Sequence, residues 1–174
     1  MRTPHLRTGR LVLDPLRVAD ADAMVTVLGD PALYAFTGGE PPEPDALRET
    51  YGHLVAGPSD DPAEAWHNWV VRLAATGTAV GTVQATLWEG ERRAAVAWLT
   101  GTPWQGHGYA SEAARAVVDW LASVGVRTIE AHIHPDHRAS AAVAVRIGLR
   151  ATEEVVDGEH TWRSVADATP ELDG

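Results

Sequence analysis

At 174 residues with 45% hydrophobic side chains, the chain is about one domain long and holds enough apolar material for a single sizeable core. It has no cysteine, which excludes disulfides, thiolate metal sites and a cysteine nucleophile. A formal net charge of −10, carried against 14 unclustered arginines and no lysine, argues against a nucleic-acid surface, and no apolar run approaches the roughly 20 residues that cross a bilayer.

These features lead us to expect one domain over residues 1–174, cytoplasmic and without nucleic-acid or membrane partners. The all-arginine basic set, with abundant Ala, Val and Gly, is the mark of a GC-rich bacterial genome. In chain order, residues 10 to 16 alternate as a short strand that Pro15 places at an edge or closes. Asp20 reads as the N-cap of a helix through about Leu28, with Gly29 as its stop. After a loop over residues 37 to 43, Pro44 opens a second helix that Gly57-Pro58 ends. Residues 66 to 74, 80 to 88 and 94 to 99 form a predicted antiparallel meander with turns at Thr76-Gly77 and Glu89-Gly90. Residues 111 to 124 carry a helical stripe of Ala114, Val117, Val118 and Leu121, with Trp120 beside it and Gly125 as the stop. A strand over 127 to 133 and a helix from Pro135-Asp136 to about Ile147 follow. Strands over 150 to 156 and 160 to 165 close on the two-residue turn Asp157-Gly158, and residues 166 to 174 read as a frayed tail. The order β-α-α-β-β-β-α-β-α-β-β is an α+β plan: one mixed, mostly antiparallel sheet with helices on both faces.

The charge is uneven. Between Asp14 and Glu64, eleven carboxylates (Asp14, Asp20, Asp22, Asp30, Glu40, Glu43, Asp45, Glu49, Asp60, Asp61, Glu64) face Arg17 and Arg48, so eleven negative charges against two positive leave −9.

Trp104-Gln105-Gly106-His107-Gly108-Tyr109-Ala110 joins a strand to a helix. Two glycines let backbone amides approach a ligand, and the helix start adds unpaired N–H groups and its positive dipole end, which suits a pyrophosphate. Gln105-x-x-Gly108-x-Ala110 resembles the Q/R-x-x-G-x-G/A loop of the GNAT superfamily of N-acetyltransferases. His134-Pro-Asp-His-Arg-Ala-Ser140 and Arg146-Ile-Gly-Leu149 resemble that superfamily's second cofactor element, and Thr8-Gly-Arg-Leu-Val-Leu-Asp-Pro-Leu16 is similar to the opening of its branch of ribosomal-protein N-terminal (alanine/serine) acetyltransferases.

The resemblance implies a single GNAT-like domain that transfers acetyl from acetyl-CoA directly to a primary amine in a ternary complex. The donor would lie between the splayed strands ending at Leu99 and Ile133. Backbone groups of Trp98, Leu99 and Thr100 would pair with the pantetheine arm, amides of Gln105, Gly106, His107, Gly108, Tyr109 and Ala110 would hold the pyrophosphate, and His137 and Ser140 would flank the arm's far side. Two positions depart from the family: His137 stands where asparagine is usual, and Ala144 where many relatives carry a tyrosine that protonates the leaving thiolate, which makes Ser140 the candidate acid. Ala95 and Ala97 stand where relatives place a strand glutamate. His132 and His134 alternate with Ile133 on one face near the thioester, so their imidazoles are the candidate bases. The acidic segment maps to the acceptor wall and favours a cationic acceptor: a small amine, an antibiotic or a protein N-terminus. Family members often dimerise, so a homodimer is compatible with the resemblance.

His132-Ile-His-Pro-Asp-His137 also spells the zinc signature of metallo-β-lactamase-like hydrolases, but only 37 residues follow and they hold one further histidine, His160. Gly106-x-Gly108-x-x-Ser111 imitates a dinucleotide fingerprint, yet a hairpin and not further βα repeats closes the chain. We therefore expect no metal, and keep as the alternative a non-catalytic acyl-CoA-binding or regulatory protein of the same fold.

Overall fold

Apolar residues on alternate positions set which face of each strand is buried, and the computed structural model shows the result for residues 1–58, 64–88, 90 and 92–164. The strands are β1 (Leu6–Arg7), β2 (Leu11–Pro15), β3 (Glu64–Leu73), β4 (Ala79–Trp88), β5 (Arg93–Thr100), β6 (Thr128–Ile133), β7 (Leu149–Val156) and β8 (Glu159–Ser164). The helices are α1 (Ala21–Val27), α2 (Pro44–Ala56), α3 (Tyr109–Ser123) and α4 (Arg138–Arg146). The strands form one sheet in the order β1-β2-β3-β4-β5-β6-β8-β7, antiparallel throughout except for the parallel pair β5 and β6. This is the α+β plan the sequence indicates, and among the described residues no helix is long and apolar enough to cross a membrane.

Two cores lie on opposite faces of the sheet. Leu11, Leu13, Trp69, Val71, Val83, Ala85, Ala94 and Val96 meet Ala113, Ala114, Val117 and Leu121 of α3 and Val143 and Ala144 of α4. On the other face Ala21, Met24 and Val27 of α1 and Leu47 and Tyr51 of α2 cover Val70 and Ala79. The stripe read from α3 is its buried face, and Trp120 packs edge-on against Trp69 and His67. Ala144 is fully buried, so its methyl does not reach a cleft.

Several details differ from these expectations. Asp20 occupies the position before α1 but does not cap it; its carboxylate accepts from the Arg17 amide at 2.8 Å and pairs with Arg72 at 2.6 Å, closing the 3-10 turn Val18–Asp20. Pro135 and Asp136 do not open the last helix. They form a tight turn, with the His137 amide on the His134 carbonyl at 2.9 Å, and α4 begins at Arg138 with His137 as its cap. The short β1 and the 3-10 turn Pro31–Tyr34, capped by Asp30, were not foreseen. Pro44 to Ala56 and the Asp157-Gly158 turn, where both φ angles are positive, stand as read. Asp60, Asp61, Glu89, Glu91, Val165 and the tail over 166–174 lie outside the described residues.

Gly81 lets β4 lie tight against β5. A Cβ there would overlap the Leu99 carbonyl oxygen and press on the Thr100 backbone, so no side chain is tolerated between these strands.

Candidate active site

The parallel pair β5 and β6 is joined at only three residue pairs, Arg93↔Thr128, Ala94↔Ile129 and Ala95↔Glu130. Past that point β5 stays paired with β4 as far as Thr100, while β6 pairs with β8 through Ile133. The two strands therefore diverge, and Val96 to Thr100 and Ala131 to Ile133 present inner edges to one another. Trp98, Leu99 and Thr100, all half-buried, lie on that opening. The Thr100 carbonyl already accepts from the Gln105 side chain at 3.0 Å, which fastens the loop that follows to the strand end.

That loop turns through Thr102–Trp104 and reaches α3 with Gly106 at φ 78° and Gly108 at φ 80°, values that favour glycine. Among the described residues, the backbone amides of residues 106 to 111 have no backbone acceptor; the next one, Glu112, bonds the Gly108 carbonyl at 3.1 Å. These amides and the dipole of the 15-residue α3 converge on one point, the arrangement that binds a phosphate. A Cβ added at Gly108 would meet the Arg10 guanidinium at 3.6 Å, so the cradle is bounded there by a cation. The His107 Nδ1 turns back to the carbonyls of Gln105 at 2.9 Å and Trp104 at 3.2 Å, which leaves its backbone, and not its imidazole Nδ1, for a ligand. Trp104 packs on Gly101 and Val27 and plugs the loop against the sheet.

Sequence reasoning missed what holds the cradle. Glu112, in the first turn of α3, accepts from the Thr8 hydroxyl at 2.5 Å, the Arg10 amide at 3.0 Å and the Arg10 Nε at 2.7 Å. Arg10 in turn donates to the His107 carbonyl at 3.0 Å and lies 4.8 Å over the Tyr109 ring. Burial pushes the Glu112 carboxyl up, but the Thr8 hydroxyl, the Arg10 amide and the guanidinium outweigh it and hold the group below the usual carboxylate range. The partners are a hundred residues apart, so no local pattern signals them.

The histidines separate into two environments. His132 on β6 is partly exposed, with Nδ1 3.4 Å from the Thr161 hydroxyl and Nε2 4.0 Å from Glu130. His134 lies just past the strand; its Nδ1 accepts from the Asp136 amide at 3.2 Å, and its ring sits 5.4 Å from Phe36. His137 stacks on Phe36 at 4.5 Å and accepts from the Ser140 amide at 3.5 Å. Burial, then the neighbouring His134, hold the His137 imidazole below its ordinary range against the opposing pull of Glu159. Phe36 belongs to the loop between α1 and α2, so that loop reaches the far side of the opening and touches both rings. Ser140 is half-buried in the first turn of α4. The four residues of the zinc-like motif thus do other work, and among the described residues no three His, Asp or Glu side chains gather as metal ligands.

The acidic segment is more internally paired than its charge suggests. Asp14 and Asp20 hold Arg72, Asp22 and Asp45 hold Arg48, Asp30 caps the turn after it, and Glu64 accepts from the Trp66 indole.

Residues 10–150 match the family model described as an acetyltransferase (GNAT) domain. Among solved structures, the chain is similar to an acetyltransferase from Agrobacterium tumefaciens at 28% identity and TM-score 0.74, covering 95% of this chain and 96% of that one. It is also similar to a GNAT-family acetyltransferase from Bacillus anthracis at 19% identity and TM-score 0.75, covering 94% and 99%. The microcin C7 self-immunity acetyltransferase MccE, solved with acetyl-CoA and AMP, aligns at 12% identity and TM-score 0.72 over 91% and 93% of the two chains. No functionally curated protein matches it.

Proposed function

The chain belongs to the GNAT acetyltransferase family, and from that premise we propose that it acetylates a primary amine by direct transfer with both substrates bound at once. It is an acetyl-CoA-dependent N-acetyltransferase; acetyl-CoA supplies the activated acetyl thioester, whose carbon–sulfur bond breaks as the amine nitrogen–carbon bond forms. The observation that carries the site assignment is the opening between β5 and β6, which leads from unpaired strand edges to a cradle of free amides.

In this reading, the inner edge of Trp98, Leu99 and Thr100 guides the arm, and the amides of Gly106 to Ala110 hold the pyrophosphate, with Gln105 securing the loop. An amine that enters as its ammonium must lose a proton before it can attack, and His132 is the group placed to take it: it is accessible, on the face away from α3, and one strand from the expected thioester. The nitrogen's second proton passes through the Ser140 hydroxyl to the departing thiolate, since Ala144 can supply none. His134 orders the turn after β6, and His137 fixes the start of α4 through its ring nitrogen, so that Ser140 is held in place. The acceptor is a cationic small amine, antibiotic or protein N-terminus, drawn by the net negative charge of the α1 and α2 segment. A single catalytic domain extends over residues 1–174.

The test is free-thiol release from acetyl-CoA across a panel of small amines, aminoglycosides, polyamines and N-terminal peptides, followed by His132→Ala, His134→Ala and Ser140→Ala on any acceptor found. We expect His132→Ala and Ser140→Ala to lower kcat by about 10²-fold or more, as lost proton transfer does, and His134→Ala to act more weakly. Unchanged turnover in all three variants would remove the assigned roles and leave the fold untouched.

A further inference from the structure

The strand that leads into the glycine loop brings no carboxylate to the acceptor side, yet a buried carboxylate stands beside it. On β6, Ile129, Ala131 and Ile133 enter the core under α3, so Glu130 and His132 point to the opposite face. On β5, Ala94 and Val96 take the same core, which leaves the Ala95 and Ala97 methyls on that opposite face. Ala95 is the residue paired with Glu130.

Glu130 is only 4% exposed, a costly place for an anion unless it is paired. Its partners are Arg93 of β5 at 3.4 Å and Arg163 of β8 at 3.3 Å, and Arg163 also bonds Glu154 of β7 at 2.9 Å. Among the described residues, Arg93 and Arg163 face Glu130 and Glu154 in this cluster. Both contacts to Glu130 are longer than the 2.7–2.9 Å usual for charge-assisted bonds, which leaves Oε1 responsive to a third charge. That charge is His132, whose Nε2 lies 4.0 Å from the same Oε1. The fully buried Thr161, paired with His132 across β8, places its hydroxyl oxygen 3.4 Å from Nδ1, where it can accept an Nδ1–H. We assign the ring proton to Nδ1 on this ground. The lone pair of Nε2 then faces a carboxylate oxygen, two acceptors that become complementary only when a proton is on the nitrogen.

We propose that Glu130 is a positioning residue for acetyl transfer, holding His132 so that Nε2 accepts the acceptor's ammonium proton and stabilising the imidazolium that results. The proposal rests on the reading of the chain as an amine acetyltransferase with His132 as base. The proton leaves the substrate nitrogen, resides on Nε2 and is returned to solvent through the exposed ring edge. Glu130 takes no part in the proton's path and is fixed by Arg93 and Arg163.

The test is the pH profile of kcat/KM for the full chain with an amine that the wild type turns over. Glu130→Gln removes the negative charge 4.0 Å from Nε2, so the acid limb should move down by about one pH unit and kcat fall by about tenfold, with KM for acetyl-CoA unchanged. Arg163→Gln removes a cation from the cluster, and its acid limb should move up by about half a unit. Opposite signs from two members of one ion-pair cluster are not an effect that loosened packing produces. A folded Glu130→Gln enzyme with an unmoved limb overturns the proposal; if that variant does not fold, an unmoved limb in Arg163→Gln overturns it. Should the wild type release thiol with no amine, the functional reading fails, and NMR titration of the His132 imidazole in Arg163→Gln judges Glu130 alone: an unchanged midpoint overturns it.

Discussion

Replacing Glu112 with glutamine should detach the cofactor loop from the N-terminal strand. The Glu112 carboxylate receives the Thr8 hydroxyl, the Arg10 amide and two guanidinium contacts, the closest of the latter at 2.6 Å. Glutamine keeps one acceptor and turns the other oxygen into a donor that faces the guanidinium. A hydrogen bond to a charged group contributes about 1.5–3 kcal/mol, but Arg10 is 52% exposed, so its ionic share is nearer the ~1 kcal/mol of a solvated pair. Together these give about 2.5–4 kcal/mol, which for a domain of this size lowers Tm by roughly 5–16 °C. Because Arg10 also donates to the His107 carbonyl, the cradle loses its anchor as well, and the Kd for acetyl-CoA should rise about tenfold, equivalent to ~1.4 kcal/mol. Thermal melts followed by circular dichroism and calorimetric titration with acetyl-CoA read the two effects separately. The carboxyl is held below its ordinary range, so the contribution is complete above the unfolded carboxylate value and is lost as pH falls through the folded one; the Tm difference between wild type and variant should shrink in acid. A variant that melts and binds like the wild type would refute the reasoning.

Gly108→Ala forces a side chain into a left-handed cap at φ 80°, a strain of about 1–2 kcal/mol; acetyl-CoA affinity measured by calorimetry should fall about tenfold while the circular dichroism spectrum is retained, and full affinity would contradict the cradle assignment. Gly81→Ala drives a methyl into the Leu99 carbonyl, so we expect more than ~3 kcal/mol of destabilisation and little soluble protein, and a normal melt would show that β4 and β5 can move apart. Phe36→Ala removes the ring stacked on His137, and an NMR titration should find the His137 midpoint moved up toward the ordinary imidazole range. Since that midpoint is depressed in the fold, the α4 cap is intact above the ordinary value and is lost as pH falls through the lowered one.

The parts of this molecule legible in its sequence are those decided within a few residues. Pro44 and Gly57 bracket α2 because a proline suits a first helical turn and a glycine a left-handed end. Asp157-Gly158 fixes a hairpin because both residues tolerate positive φ. The glycine loop was readable for the same reason, as two backbone requirements and a helix start in sequence. Asp20 stands at the head of α1 as read, but Arg72, fifty-two residues away, claims its carboxylate; Pro135 misled because His137 caps α4 later than the proline signal suggests. Arg10 with Glu112, Phe36 with His137, and Glu130 with Arg163 were invisible because each pair is made by the sheet and the helix packing. The acidic segment shows the same limit: its charge could be counted, but not which carboxylates Arg48 and Arg72 would engage.

Only three residue pairs join β5 to β6, so the sheet divides there into two parts, β1 to β5 on one side and β6 to β8 on the other. An exposed strand edge ordinarily invites a neighbouring polypeptide; here two such edges face one another across the opening. His132 stands on one part and the edge of Trp98 and Leu99 on the other, so within the sheet the proposed base and the proposed donor edge are tied together through those three pairs alone.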